Sequence, residues 1–153
     1  MASISYSDIY KAFLGNITDY KLASLDEQDA NSLMQEYLHK SIFASYVRRL
    51  FDSLTLDDYN QSITYTMKYS TDEQSDEGFV IGAISKWMVY EWLQAQVKTT
   101  TLTEQMIFSS KEKSYYSQAN HLSELRSLAE EAYKEARFFI MDRGYISNKY
   151  LGG

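Results

Sequence analysis

The run Phe79-Val80-Ile81-Gly82-Ala83-Ile84-Ser85-Lys86-Trp87-Met88-Val89-Tyr90-Glu91-Trp92-Leu93-Gln94-Ala95-Gln96-Val97 is apolar almost all the way round a helical projection. A helix without a wide polar face has to be covered on most sides. No stretch of the chain is uninterruptedly apolar over the ~18 residues that a membrane span needs. The cover must therefore come from the rest of the chain or from a partner, and the rest of the chain has the pattern to supply it.

Just upstream, Thr71-x-x-Gln74 reads as the start of this helix, which is expected to run to about Lys98. Gly78-x-x-x-Gly82 in its first turns permits another helix to come close. Before it the period changes. Ile63-Thr64-Tyr65-Thr66-Met67-Lys68-Tyr69 alternates strictly and is rich in β-branched and aromatic residues, the signature of a strand. Phe51 to Leu56 is its expected partner across an Asp57-Asp58-Tyr59-Asn60 turn. A two-stranded ribbon is marginal in water, so it should pack on the helices or on another subunit.

Further toward the N-terminus, Ser24-x-x-Glu27 opens a second helix ending near Leu50-Phe51. Ala30, Leu33, Met34, Tyr37, Leu38, Ile42 and Tyr46 form its buried stripe. Ser5-x-x-Asp8 opens a short first helix that stops at Gly15-Asn16. Downstream, Thr99-Thr100-Thr101 is expected to interrupt the third helix before a short helical piece from Leu102 to Phe108. A last helix from about Tyr116 to Arg143, with Gly144 just past its end, carries Leu122, Leu125, Ala129, Ala132, Ala136 and Phe139 at 3-4-3-4-3 spacing. Three alanines on that seam require a close neighbour. Arg126, Glu130 and Lys134 form a charge row on its outer side.

The sequence thus predicts a mainly α protein: a bundle of about four helices, near 5–14, 25–50, 72–98 and 116–143, with a small β-hairpin inserted between the second and third. Residues 1–153 are expected to form one domain with an extended C-terminal tail over about 145–153.

Composition narrows the function. The chain has 153 residues, no Pro, no Cys, 14 Tyr and a net charge of −6. Absent proline suits long helices, and absent cysteine excludes a disulfide framework, a thiol nucleophile and thiolate metal sites. Between residues 52 and 77 seven carboxylates face Lys68 alone, so this segment holds the whole −6 of the chain. An acidic chain is a poor candidate for gripping nucleic-acid phosphates. Met1-Ala2-Ser3-Ile4 lacks a signal peptide's basic start and apolar core, which points to a soluble protein made inside the cell.

The catalytic inventory is thin. Neither a Gly-x-Ser-x-Gly elbow, a phosphate-binding loop nor a Gly-x-Gly-x-x-Gly turn occurs. Glu36-x-x-His39 has the i, i+3 spacing of a di-iron bundle pair, but the only counterpart, His121-x-x-Glu124, runs in reverse. Arg48-Arg49, the only adjacent basic pair, lies where it would oppose the negative end of the second helix. The terminal Leu151-Gly152-Gly153 matches ubiquitin-like tails, but the helical pattern does not supply their sheet. Many tyrosines, an all-apolar helix and an acidic ribbon favour an assembly or binding protein over an enzyme. No metal and no cofactor are expected.

Three segments carry a resemblance. They are Ile4-Ser5-Tyr6-Ser7-Asp8-Ile9-Tyr10 with Phe13-Leu14 and Ile17-Thr18-Asp19-Tyr20; Glu91-Trp92-Leu93; and Tyr115-Tyr116-Ser117-Gln118-Ala119-Asn120-His121-Leu122. In this order they resemble small virion proteins of the neck, or head–tail connector and adaptor, group of tailed bacteriophages of Gram-positive hosts. The acidic ribbon around residues 52–70 departs most from that group.

The resemblance implies a structural virion protein made in the host cytoplasm and located at the head–tail junction. There it would complete the head as a ring between the portal protein and the next neck or tail-completion protein. DNA would pass through its channel without sequence-specific contact, and no membrane would be involved. In such a ring Tyr65 and Tyr69 of the ribbon and Tyr145, Ile146, Tyr150 and Leu151 of the tail are the expected partner-binding residues. Two alternatives are a small acidic helical regulator or DNA mimic, and a carboxylate-bundle enzyme using Glu36 and His39.

Overall fold

The computed structural model describes the backbone of residues 2–17, 27–107 and 112–150, and the side chains within 2–17, 30–98 and 123–143. The order of elements is β1 (Ala2–Ser5), α1 (Tyr6–Asn16), α2 (Glu27–Ile42), α3 (Ser45–Arg48), β2 (Phe51–Asp57), β3 (Ser62–Met67), α4 (Glu73–Ile107) and α5 (Glu112–Tyr150). The protein is mainly helical with one small antiparallel sheet.

Helix α4 is the axis. Its apolar run meets α5 along one side, α1 and α2 on others, and β1 and α3 at smaller contacts. Phe79, Val80, Ala83, Ile84, Trp87, Met88, Trp92 and Leu93 are all buried, as a helix apolar all round requires. The seam of α5 supplies Ala129 and Ala136, both buried, with Ile140 beside them. Small residues let the backbones approach. At Gly82 an added methyl would lie 2.5 Å from Cζ of Phe139. Phe139 stacks on Phe79 at 5.4 Å, so the missing Cβ of Gly82 makes room for an aromatic pair. Gly78 has open space around it and plays no such part.

The hairpin forms where the alternation places it, with Ile63, Tyr65 and Met67 buried and Thr66 and Lys68 exposed. β2 carries an irregularity at Asp52, since Phe51 pairs with Met67 but Ser53 pairs with Thr66. A third strand, not expected from the sequence, completes the sheet in the order β1-β3-β2. Ala2 to Ser5 run antiparallel to Tyr65 to Ser62 and bury Ile4. Four residues are too few to show a period, yet they cover an edge that a lone ribbon would leave open. Ser5 ends this strand and caps α1, its hydroxyl accepting from the Asp8 amide at 3.2 Å.

Other expectations are corrected. The second helix does not run to Phe51: α2 closes at Ile42, Ala44 turns extended (φ −63°, ψ 139°), and the short α3 follows. Ile42 and Tyr46 keep helical spacing across this break, which hides it. The bend buries Val47 and lets Lys68 N donate to Leu50 O at 3.0 Å, starting the hairpin. Thr71 does not cap α4; Asp72 does, accepting from the Ser75 amide at 2.8 Å. The Thr99–Thr101 run does not interrupt α4, because threonine costs a helix only a fraction of 1 kcal/mol per residue. Phe108, at the end of the expected short piece, lies outside the described residues, as does Ser24 of the expected second-helix capping box.

Helix α5 begins at Glu112 rather than Tyr116 and passes through Gly144 to Tyr150, so the expected extended tail is helical at least that far. An interior glycine costs a helix about 1 kcal/mol, which weakens the helix without ending it. Leu151 to Gly153 lie outside the described residues. Among the described residues no helix is long and apolar enough to cross a membrane.

Candidate functional site: the hairpin tip and a cation–aromatic patch

The turn joining β2 to β3 is built by its own side chains. Asp57 accepts from the Asn60 amide at 3.0 Å and from Asn60 Nδ2 at 2.6 Å, an Asx-type closure that needs no glycine. Gln61 takes the left-handed conformation (φ 55°). That conformation costs an ordinary residue roughly 1–2 kcal/mol. Its side chain offsets the cost: Nε2 donates to Asp58 O at 2.6 Å and to Gln35 Oε1 at 2.9 Å. Gln61 O accepts from the Tyr6 amide at 2.8 Å.

Asp58 ties the tip to two helices. Its Oδ1 accepts from the Tyr6 hydroxyl at 2.6 Å and pairs with His39 Nε2 at 2.9 Å. The Tyr6 and His39 hydrogen bonds hold the Asp58 carboxyl below the usual carboxylate range. Burial, then the Asp58 hydrogen bond, pushes the Tyr6 phenol well above its ordinary value. Asp57 is also lowered, by the Asn60 amide and then its side chain. Both carboxylates are therefore held ionised, on a turn fixed to α1 and α2.

At the crest of this fixed turn stands Tyr59, 92% exposed. It is the most exposed large hydrophobic residue among those described. A hydrogen-bonded turn presenting an exposed aromatic ring next to two carboxylates has the make-up of a docking anchor: broad contact area, few rotatable bonds and a preset position. The sequence carried the signal, since an aromatic residue inside an Asp-Asp-x-Asn turn has no face to bury.

A second cluster lies beyond the opposite end of β2. The Tyr46 ring stacks near Trp87 at 5.7 Å, and the Arg49 and Arg137 guanidiniums lie 4.5 and 5.0 Å from its centroid. Arg137 also lies 5.4 Å from Tyr133, which meets Trp87 edge-on at 5.8 Å. Neither Arg49 nor Arg137 forms an ion pair among the described residues. Trp87 Nε1 and Arg137 Nε are buried without a hydrogen-bond partner there. The Arg48-Arg49 pair therefore does not serve one shared helix end. Arg48 donates to Phe51 O at 3.1 Å, while Arg49 leans over Tyr46 and stays exposed.

The expected partner-binding residues are distributed differently. Tyr65 is buried, edge-on to Phe51 at 5.7 Å, so its ring belongs to this chain's own core and is corrected from anchor to core residue. Burial, then the Glu77, Asp76 and Glu73 carboxylates, raises its phenol above the ordinary value. Tyr69 is exposed (56%). Tyr145, Ile146 and Tyr150 sit on helical backbone with side chains outside the described set, and Leu151 lies outside it altogether.

Glu36 pairs with Lys40 at 3.4 Å and His39 with Asp58, so the two do not converge on a common point. Among the described residues no cluster of three or more His, Cys, Asp or Glu side chains could hold a metal ion. His121 lies outside the described side chains. A cleft of about 330 Å³ between α4 and α5 is lined by Tyr90, Gln94, Arg126, Glu130 and Tyr133.

The class defined on these grounds is a mainly α protein with a three-stranded sheet and a preorganised aromatic turn. Comparison of the chain with protein-family models, with curated proteins and with solved structures finds no match.

Proposed function

We propose that this protein is a structural assembly protein that works by docking, a head–tail connector or adaptor forming a ring between portal and tail in a phage neck. In this reading α1, α2, α4 and α5 make a helical-bundle body and the hairpin tip reaches outward. The observation that carries the docking role is Tyr59, 92% exposed on a turn locked by Tyr6, His39, Gln35, Asp57 and Gln61. Ordering a loop on binding costs affinity, and a turn ordered beforehand avoids that cost. The outer side of α5 adds exposed apolar groups, Phe138 (62%) and Met141 (46%). The resemblance of the N-terminal, Glu91–Leu93 and Tyr115–Leu122 segments supplies the neck assignment.

The regulator or DNA-mimic reading gains less. Its carboxylates are split between the tip, with Asp57 and Asp58, and the start of α4, with Asp72, Glu73 and Glu77, at opposite ends of β3. Asp76 is neutralised by Arg143. The test is co-assembly with a portal protein from the same genome. The wild type should sediment with portal rings, and a Tyr59→Ser variant with unchanged helical circular dichroism should not. A wild-type chain that ignores the portal, or a variant that binds it equally well, overturns the proposal.

A further inference from the structure

We infer that the hairpin tip of one copy docks on the Tyr46–Arg49–Arg137 patch of the next, a heterologous contact between copies of this chain. The inference rests on the assembly reading above and names the surfaces it would use.

The argument is charge and shape on both sides. The tip offers an exposed aromatic ring that follows two carboxylates held ionised, with the Asp58 side chain 47% exposed despite its internal bonds. The patch offers two guanidiniums with no carboxylate partner among the described residues, set against a half-buried ring. Guanidinium planes stack on aromatic faces and bind carboxylates in a fork, so one tip can satisfy both needs. Phe43, in the connection that carries the patch, is 63% exposed and extends the apolar part of the surface.

The tip of one copy does not reach its own patch. The tip follows Asp57 and the patch precedes Phe51, and β2 between them spans roughly 20 Å at ~3.3 Å per residue. Two different surfaces on one subunit give head-to-tail addition, which closes as a ring when the rotation per subunit allows it.

Because the chain has no cysteine, a disulfide between introduced cysteines reports this contact alone. Asn60→Cys places a thiol beside Tyr59, giving up the side-chain bond to Asp57 but keeping the backbone one, and Ser45→Cys places one a turn from Arg49, leaving Tyr59, Arg49 and Arg137 intact. Mixed under mild oxidation at high concentration, the two full-length variants should form a cross-linked heterodimer several-fold more than Asn60→Cys mixed with the exposed control Lys11→Cys. Adding Arg49→Glu to the Ser45→Cys chain, or raising salt, should reduce the yield to the control level.

A yield equal to the control, or unaffected by Arg49→Glu, overturns the inference. So does loss of duplex-DNA retention on Arg49→Glu without any specific cross-link, which would give the patch to phosphates. Portal binding is scored separately: binding without the cross-link leaves the connector reading standing and removes only this contact. The cross-link without portal binding does the reverse.

Discussion

The Tyr6 hydroxyl donates to Asp58 Oδ1 at 2.6 Å, joining the first turn of α1 to the hairpin tip across 52 positions of sequence. Tyr6 is fully buried while Asp58 is half in water, so the bond anchors an exposed turn from inside the core. Tyr6→Phe keeps the ring and removes the bond. It should cost about 1 kcal/mol at neutral pH, less than the ~1.5–3 kcal/mol of a bond to a buried charged group because one partner is solvated. The sign of the pH dependence follows from Asp58, whose carboxyl lies below its ordinary 3.8 in the folded chain. The contribution is complete above the ordinary carboxylate value and lost as pH falls through the lowered one. Urea midpoints of wild type and Tyr6→Phe should therefore differ at pH 7 and converge in strong acid, and a constant gap would contradict the ionised bond.

Arg143 and Asp76 form the buried ion pair that fastens α5 to the start of α4, with Arg143 also over the Phe79 ring at 4.5 Å. Burial alone would raise the Asp76 carboxyl. Hydrogen bonds from Ser70 Oγ, the Thr71 amide, Arg143 and Thr71 Oγ1 outweigh it and hold the carboxyl below 3.8. Asp76→Asn leaves a cation uncompensated in the interior and should cost ~3 kcal/mol at pH 7 in chemical unfolding. The double change Asp76→Leu with Arg143→Met should recover most of that loss, because two matched apolar groups carry no desolvation penalty. The wild type itself should lose this contribution as pH drops below the ordinary carboxylate value. A double variant no better than the single one would show that the polar cluster around Ser70 and Thr71 depends on the pair.

How much of this could be seen in the sequence depends on how far each feature reaches along the chain. The Phe79–Val97 run announced a central helix because thirteen of its nineteen positions are apolar, and Ile63–Tyr69 announced a strand because seven alternate. β1 has only four residues and its reason to exist is the uncovered edge of β3, a contact about sixty positions away. The break at Ala44 carries no Gly or Pro and keeps helical spacing across it, so only the need to start the hairpin at Leu50 reveals it. Among the tyrosines, alternation singled out Tyr65 and Tyr69 together. The pleat turned Tyr65 inward, while Tyr69 lies past the end of β3 and stays outside.

At Gly82 two effects oppose each other. Replacing an interior helical glycine by alanine gains about 1 kcal/mol of helix propensity. The new methyl would sit 2.5 Å from Cζ and 2.9 Å from Cε1 of Phe139, whose ring is held by its stack on Phe79 and by Lys86, 5.5 Å from its centroid. Moving a held ring out of a packed seam costs roughly 1–3 kcal/mol. Gly82→Ala should therefore be neutral to destabilising by up to 2 kcal/mol (about the difference of those two terms). Gly78→Ala, with open space around it, should stabilise. Thermal melts of the two variants should move in opposite directions or differ clearly in favour of Gly78→Ala.

Tyr59 and Tyr65 lie six positions apart on one hairpin and should respond to truncation in opposite ways. Tyr65 is 2% exposed and packs on Phe51, so Tyr65→Ala opens a cavity and should cost about 3–5 kcal/mol. Tyr59 is 92% exposed, and the turn beneath it is held by Asp57, Asp58 and Gln61 rather than by its ring. Tyr59→Ala should change stability by less than about 0.5 kcal/mol, the range of surface substitutions that touch nothing. Urea unfolding of both variants checks the contrast. Loss of assembly in Tyr59→Ala with an unchanged unfolding midpoint would assign the ring to docking. A large loss of stability in the same variant would instead return Tyr59 to the fold.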